Sequence, residues 1–277
     1  MTATYVHFAP DVPGLPALGA RSFADLIGDQ DGLSGIERAD RGTRASRAGE
    51  TWRYPLPGTP DARGRLTGRP CGAGTGWVRL RRFHGAGLGE LLRTRLGAPR
   101  SLSLAEREWN LNCHLRAHGV GAPDLLAFGR EGNALFARRS FLVMRELEGF
   151  RSLREIAASE TDALVRRRVA RAVGLCLDRL FRSGTDLPRL DADHILVSRL
   201  AAPGERVDAL GLPAGRLPEI VLTALEGGSI GRPASAAARV ALLERLRADL
   251  PTARARELLR AGLLAARDLV RERRLGS

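Results

Sequence analysis

The chain has 277 residues, 44% apolar and 27% charged, with a formal charge of +13. That length suits one large domain or two units, and that balance excludes a disordered or fibrous chain. The basic charge favours polyanionic partners, but an aromatic content of 5% is too low for base-stacking platforms, which argues against nucleic acid.

Residues 1–20 are rich in Pro and Ala and read as a loosely ordered lead-in. Glu50-Thr51-Trp52-Arg53-Tyr54 alternates β-formers with polar residues and reads as a strand. Pro55 to Gly76 is loaded with Gly and Pro and reads as a long loop. Trp77 to Phe83 alternates again, with Trp77, Arg79, Arg81 and Phe83 on one face and Val78, Leu80 and Arg82 on the other. Ser103-Leu104-Ala105-Glu106 is a capping box that opens a helix running to about His118, with Gly119 as its stop. Pro123 to Arg145 carries loop and strand signals. Ser152-Leu153-Arg154-Glu155 is a second capping box. Val165, Val169, Val173, Leu177 and Leu180 then recur at helical spacing up to Gly184. His194 to Val197 and Ile220 to Leu225 are short apolar strands. Val240, Leu243, Leu246 and Leu250 mark one closing helix, and Leu258, Leu259, Leu263, Leu264 and Leu269 another.

The first half is thus strand-rich with one embedded helix, and the second half is helical with two short strands. That is an α+β plan. The expected divisions are 1–20 (lead-in), 21–145 (strand-rich lobe) and 146–277 (helical lobe). No internal repeat is present.

All 44 basic residues are arginine, which makes arginine the default solvated residue and matches a GC-rich coding bias. Cys71, Cys113 and Cys176 lie far apart without a C-x-x-C pair, which excludes a disulfide framework or a zinc site. No apolar run is long enough to span a membrane. Met1 to Pro16 lacks the features of a signal peptide. The expected location is the cytoplasm, with peripheral attachment to an anionic membrane surface left open. The runs Gly72-Ala73-Gly74-Thr75-Gly76 and Gly85-Ala86-Gly87-Leu88-Gly89 do not make a nucleotide-binding fingerprint: the adjoining strand carries Arg79, Arg81 and Arg82, and a Walker A motif needs a lysine.

Four elements occur in order. They are the basic strand Val78 to Phe83, the capped helix with Glu108-Trp109-Asn110-Leu111 followed by Gly119-Val120-Gly121-Ala122-Pro123-Asp124, the segment Ser140 to Gly149 with Ser152-Leu153, and Asp186 to Val197 backed by Ile220 to Gly228. Together they resemble the lipopolysaccharide kinase family, whose members phosphorylate Kdo or heptose of the lipopolysaccharide core. The resemblance spans roughly residues 35 to 260. It implies a two-lobed protein-kinase-like fold, ATP, and magnesium or manganese.

The resemblance also assigns positions. Glu108 matches the helix glutamate that ties down a phosphate-binding cation, and Arg81 stands where the family has lysine. Arg189 stands where the catalytic aspartate is expected, and a guanidinium cannot accept a proton from a hydroxyl. Asp191 and Asp193 are the candidates for a relocated base, with Asp186 close by. His194 occupies the metal-binding position that closes the catalytic loop. Asp208 and Glu226 are further candidate metal ligands, because Ala224 stands where the metal-binding aspartate is expected. With these charged positions altered together, the expected function is a pseudokinase with a binding or regulatory role, its site holding an anionic ligand such as a lipopolysaccharide precursor or nothing, with ATP and the metal needed only if the chain is active. The alternatives are an active atypical kinase acting on a sugar hydroxyl, and a basic protein docking on an anionic membrane surface or nucleic acid.

Overall fold

Alternation dictates the central strand. In β4 (Trp77–His84) the side chains of Val78, Leu80 and Arg82 are buried, while Arg79 is exposed. The computed structural model describes residues 4–28, 33, 36–38, 49–56, 76–84, 103–132, 139–159, 163–198, 217–231 and 235–250. Contacts divide the chain into two units, Met1–Asn110 with Asp124–Glu146 and Leu111–Pro123 with Leu147–Ser277.

The first unit is built on an antiparallel sheet. Its strands are β1 (Thr4–Phe8), β2 (Glu37–Arg38), β3 (Gly49–Pro55), β4, β5 (Leu125–Glu131) and β6 (Arg139–Arg145), in the order β1-β5-β6-β4-β3-β2. Arg81 lies opposite Thr51 on one side and Leu142 on the other. Trp52, Tyr54, Val78, Leu80, Phe141 and Val143 pack into one core.

The lead-in is held more firmly than its composition suggests. Thr4 to Phe8 pair with Glu131 to Ala127, and Val12, Leu18 and Ala20 are buried in the same core. A short helix follows, α1 (Phe23–Ile27). It is capped at its start by Ser22 and Asp25, and its Leu26 and Ile27 are buried. At its end, buried Arg82 donates from Nε to Leu26 O at 2.9 Å and from Nη2 to Asp25 O at 2.9 Å. The fork of one arginine thereby satisfies two carbonyls that a helix end leaves without partners.

Helix α2 (Leu104–Ala117) begins at Ser103, whose Oγ accepts from Glu106 N at 3.2 Å. The Glu106 carboxylate accepts from Arg130 Nη1 at 2.8 Å. Gly119 ends the helix with a positive φ, a left-handed conformation that glycine adopts without strain.

The second unit is helical, with two small sheets. The second capping box closes in full: Ser152 N donates to Glu155 Oε2 at 2.9 Å, and Glu155 N donates to Ser152 Oγ at 3.1 Å. It joins β7 (Arg151–Ser152) to α3 (Leu153–Ser159). Helix α4 (Ala163–Ser183) buries Val165, Val169, Val173, Leu177 and Leu180. Each side chain of such a stripe contributes about 1.5–3 kcal/mol. Gly184 then turns the chain into β8 (Thr185–Asp186).

The strands β9 (Ile195–Val197) and β10 (Ile220–Leu222) pair antiparallel, with β7 on the far side of β9. The strand β11 (Ser229–Ile230) pairs with β8. Helix α5 (Ala236–Asp249) buries Leu246, and Leu250 just past its end is buried too. Val240, expected on the same apolar face, is 58% exposed, so that face is narrower than the leucine pattern suggests. Cys71, both glycine runs apart from Gly76, and the second closing helix lie outside the described residues.

Candidate functional site

Two groups of charged residues occupy the positions that the sequence singles out, one in each unit. In the first unit, Arg81 on β4 meets Glu108 on α2, with Nη1 to Oε2 at 2.7 Å. Strand alternation puts Arg81 on the face opposite Val78 and Leu80. Helical spacing puts Glu108 one turn after Leu104 and Ala105, which pack with Phe83. Glu108 is buried and Arg81 half-buried, so the carboxylate is held where its desolvation must be offset by a cation. Arg81 Cζ also sits 5.1 Å from the Phe83 ring centroid, within reach of a cation–π attraction.

In the second unit, the turn between β8 and β9 carries Arg189, Asp191, Asp193 and His194. Arg189 Nη1 lies 2.6 Å from Glu226 Oε1, with the arginine side chain 53% exposed and the glutamate 17% exposed. Glu226 is on the turn that follows β10. That turn is set by backbone bonds from Leu225 N to Thr223 O and from Gly228 N to Leu225 O, both at 3.0 Å. Antiparallel pairing of β9 with β10, reinforced by Thr223 N to His194 O at 3.0 Å, is what brings the two turns together.

Asp191 is a structural acceptor. Its Oδ1 accepts from Asp193 N and His194 N, each at 3.0 Å, and lies 2.6 Å from His194 Nδ1. With the proton on Nδ1, the imidazole presents Nε2 as its lone pair. Asp193 accepts from Arg154 Nε at 2.8 Å and 2.9 Å in an exposed pair. Asp186 is exposed at the β8 strand, opposite Ser229. The Arg154–Asp193 pair was not anticipated from sequence, and no local spacing joins its two members.

The donor set can be tested against the groups a kinase would hold. The Arg81–Glu108 pair offers a positive charge fixed by a carboxylate, which suits a nucleotide phosphate. The metal position fares differently. Ala224 offers a buried methyl group, Glu226 is engaged by Arg189, and His194 by Asp191. Among the described residues no three His, Cys, Asp or Glu side chains come together as a metal-binding group. Asp208 lies outside the described residues.

The sequence profile of the lipopolysaccharide kinase (Kdo/WaaP) family matches residues 51–211. The chain belongs to the lipopolysaccharide kinase family. The matched span contains Arg81, Glu108, Arg189 and His194, and ends before Ala224 and Glu226. Among solved structures, "WaaP in complex with acyl carrier protein" is similar at a TM-score of 0.51 and 17% identity, over 83% of this chain and 80% of that one. That likeness shows the fold, which is protein-kinase-like. No curated protein matches the chain. Among the described residues no helix is long and apolar enough to cross a membrane.

Proposed function

We propose that this member of the lipopolysaccharide kinase family is a pseudokinase, a binding module that does not transfer phosphoryl groups. The observation that carries the reading is the Arg189–Glu226 ion pair at 2.6 Å, formed at the position where the family's catalytic base is expected. Phosphoryl transfer depends on positioning and on neutralising charge. A guanidinium there repels a proton from the acceptor hydroxyl instead of receiving it, and the Ala224 side chain supplies no oxygen to a metal. The ligand this reading favours is anionic, such as a lipopolysaccharide precursor. ATP consumption with magnesium or manganese tests the proposal, and turnover above a heat-denatured control would sink it.

One observation favours a second reading, an active atypical kinase. The Arg81–Glu108 ion pair, closed at 2.7 Å, is the kind of arrangement that nucleotide phosphates require. In that reading ATP binds at Arg81 and Asp191 or Asp193 is the base. Both acids already hold other partners, which is why it ranks second. Metal-dependent thermal stabilisation by ATP would favour it, since a ligand that binds only the native state raises its stability.

The reading puts the chain on the cytoplasmic side, in peripheral contact with an anionic membrane through its arginines. Vesicle binding that weakens steeply with salt tests this. The similar solved structure is of WaaP in complex with acyl carrier protein, and co-purification of acyl carrier protein with the present chain tests whether that association carries over.

A further inference from the structure

The Arg189 guanidinium has five N–H donors. Among the described residues its one contact is Nη1 to Glu226 Oε1 at 2.6 Å, and the side chain is 53% exposed. Glu226, at 17% exposed, is the more buried partner and engages one edge of the guanidinium, leaving its other edge open. The loop beneath it is also held. Leu187 O accepts from Leu190 N at 3.1 Å. The same carbonyl accepts from Arg245 Nη2 at 3.3 Å. Pro188 fixes the backbone next to Arg189. A cation whose backbone and one edge are anchored has little ordering entropy left to lose when its second edge binds.

We propose that this open edge of Arg189 is a recognition site for a sugar phosphomonoester, the product class of the family's reaction rather than its substrate. The inference rests on the pseudokinase reading, and it follows from the chemistry of the exchange. An ionised aspartate is an acceptor only and selects a neutral hydroxyl. Arginine is a donor only and selects an anionic oxygen, and its planar fork matches two oxygens of one phosphate. On the pseudokinase reading, the exchange that removes the base therefore also suits the position to an anionic oxygen. No bond is made or broken in this role.

The test is titration of the full chain by calorimetry with glucose 6-phosphate, glucose and inorganic phosphate, alongside ATP turnover. The expected result is binding of glucose 6-phosphate, no binding of glucose, and at least tenfold weaker binding of inorganic phosphate. Arg189→Gln should weaken glucose 6-phosphate binding at least tenfold, and Arg189→Lys less, because the charge remains and the fork is lost. Thermal melts confirm that both variants fold. Undiminished binding by Arg189→Gln would overturn the assignment, as would no binding of glucose 6-phosphate by the wild type. Equal affinity for inorganic phosphate would overturn the part played by the sugar. ATP turnover by the wild type would instead overturn the pseudokinase reading, so the two failures are told apart.

Discussion

Arg189 and Glu226, on separate turns of the second unit, are joined at 2.6 Å. Both turns have backbone hydrogen bonds of their own, which do not depend on the ion pair. With the arginine half exposed, water screens most of the attraction. Arg189→Ala should therefore change stability by less than about 1 kcal/mol. Chemical denaturation checks this, and a larger loss would mean that the pair holds the two turns together.

The Arg81–Glu108 pair is the opposite case, because Glu108 is buried. Glu108→Ala leaves a guanidinium without its counter-charge. It should cost about 3 kcal/mol, near the range for breaking a buried pair. Glu108→Gln, which keeps an acceptor at the same place, should cost less. Equal losses in the two variants would mean that packing, not charge, is what Glu108 contributes.

Gly121 approaches β10 so closely that a Cβ would fall 1.9 Å from Ile220 O. The same stretch is bonded through Leu222 N to Gly121 O at 3.0 Å. Gly121→Ala must push the two backbones apart and break that bond. A loss of about 3 kcal/mol or more is expected, seen as a lowered thermal midpoint or insoluble expression. A variant as stable as the wild type would contradict this approach.

Among the described residues the buried Tyr54 hydroxyl has no hydrogen-bond partner. Burial pushes its pKa well above the ordinary phenol range, against the smaller opposing pull of Arg82. Tyr54→Phe removes an unsatisfied polar atom and keeps the ring, so it should raise stability by about 1 kcal/mol. A destabilised variant would point to a bound water on that hydroxyl.

Burial pushes the Cys176 thiol up to about 12 from an ordinary 9.0, outweighing the Gly121 backbone bond and Arg179, which act the other way. The folded state holds this proton more tightly than the unfolded state does. The thiol's contribution to stability is thus complete below the unfolded value and is lost as pH rises through the folded one. Stability should fall as pH rises from about 9 towards 12. At neutral pH iodoacetamide should leave Cys176 unmodified in the native chain. Cys113 is exposed, and its thiol is also pushed up, mainly by partial burial, so it should label slowly. Peptide mass spectrometry reads both sites.

Where structure follows from local pattern, the sequence was a good guide. The alternation at Trp77 to Phe83, the reciprocal bonds of Ser152 and Glu155, and the stripe from Val165 to Leu180 each depend on neighbours a few residues away. Contacts between distant segments were not legible. Strand alternation placed Arg82 beside Val78 and Leu80, but nothing local said that α1 would bring two carbonyls to it. Proline and alanine in the lead-in concealed a strand whose partner, β5, lies far along the chain. At the candidate site, Arg81 and Glu108 came together because a family resemblance joined a strand to a helix. Arg189 and Glu226 were each singled out, one as an arginine at the expected base position and the other as a candidate metal ligand, yet not as partners. Their meeting depends on the register of β9 against β10, which neither turn encodes.

Arg82 also bears on the chain's composition. The residue is 4% exposed, and its guanidinium reaches Leu26 O and Asp25 O together and lies 5.9 Å from the Trp52 ring centroid. A lysine ammonium is a compact, strongly hydrated charge that does not reproduce this planar two-point grip. Codon usage could drift back towards lysine and exchange many exposed arginines at little cost, but position 82 would resist. At that position arginine is a structural requirement as well as a compositional one, because one helix end depends on it.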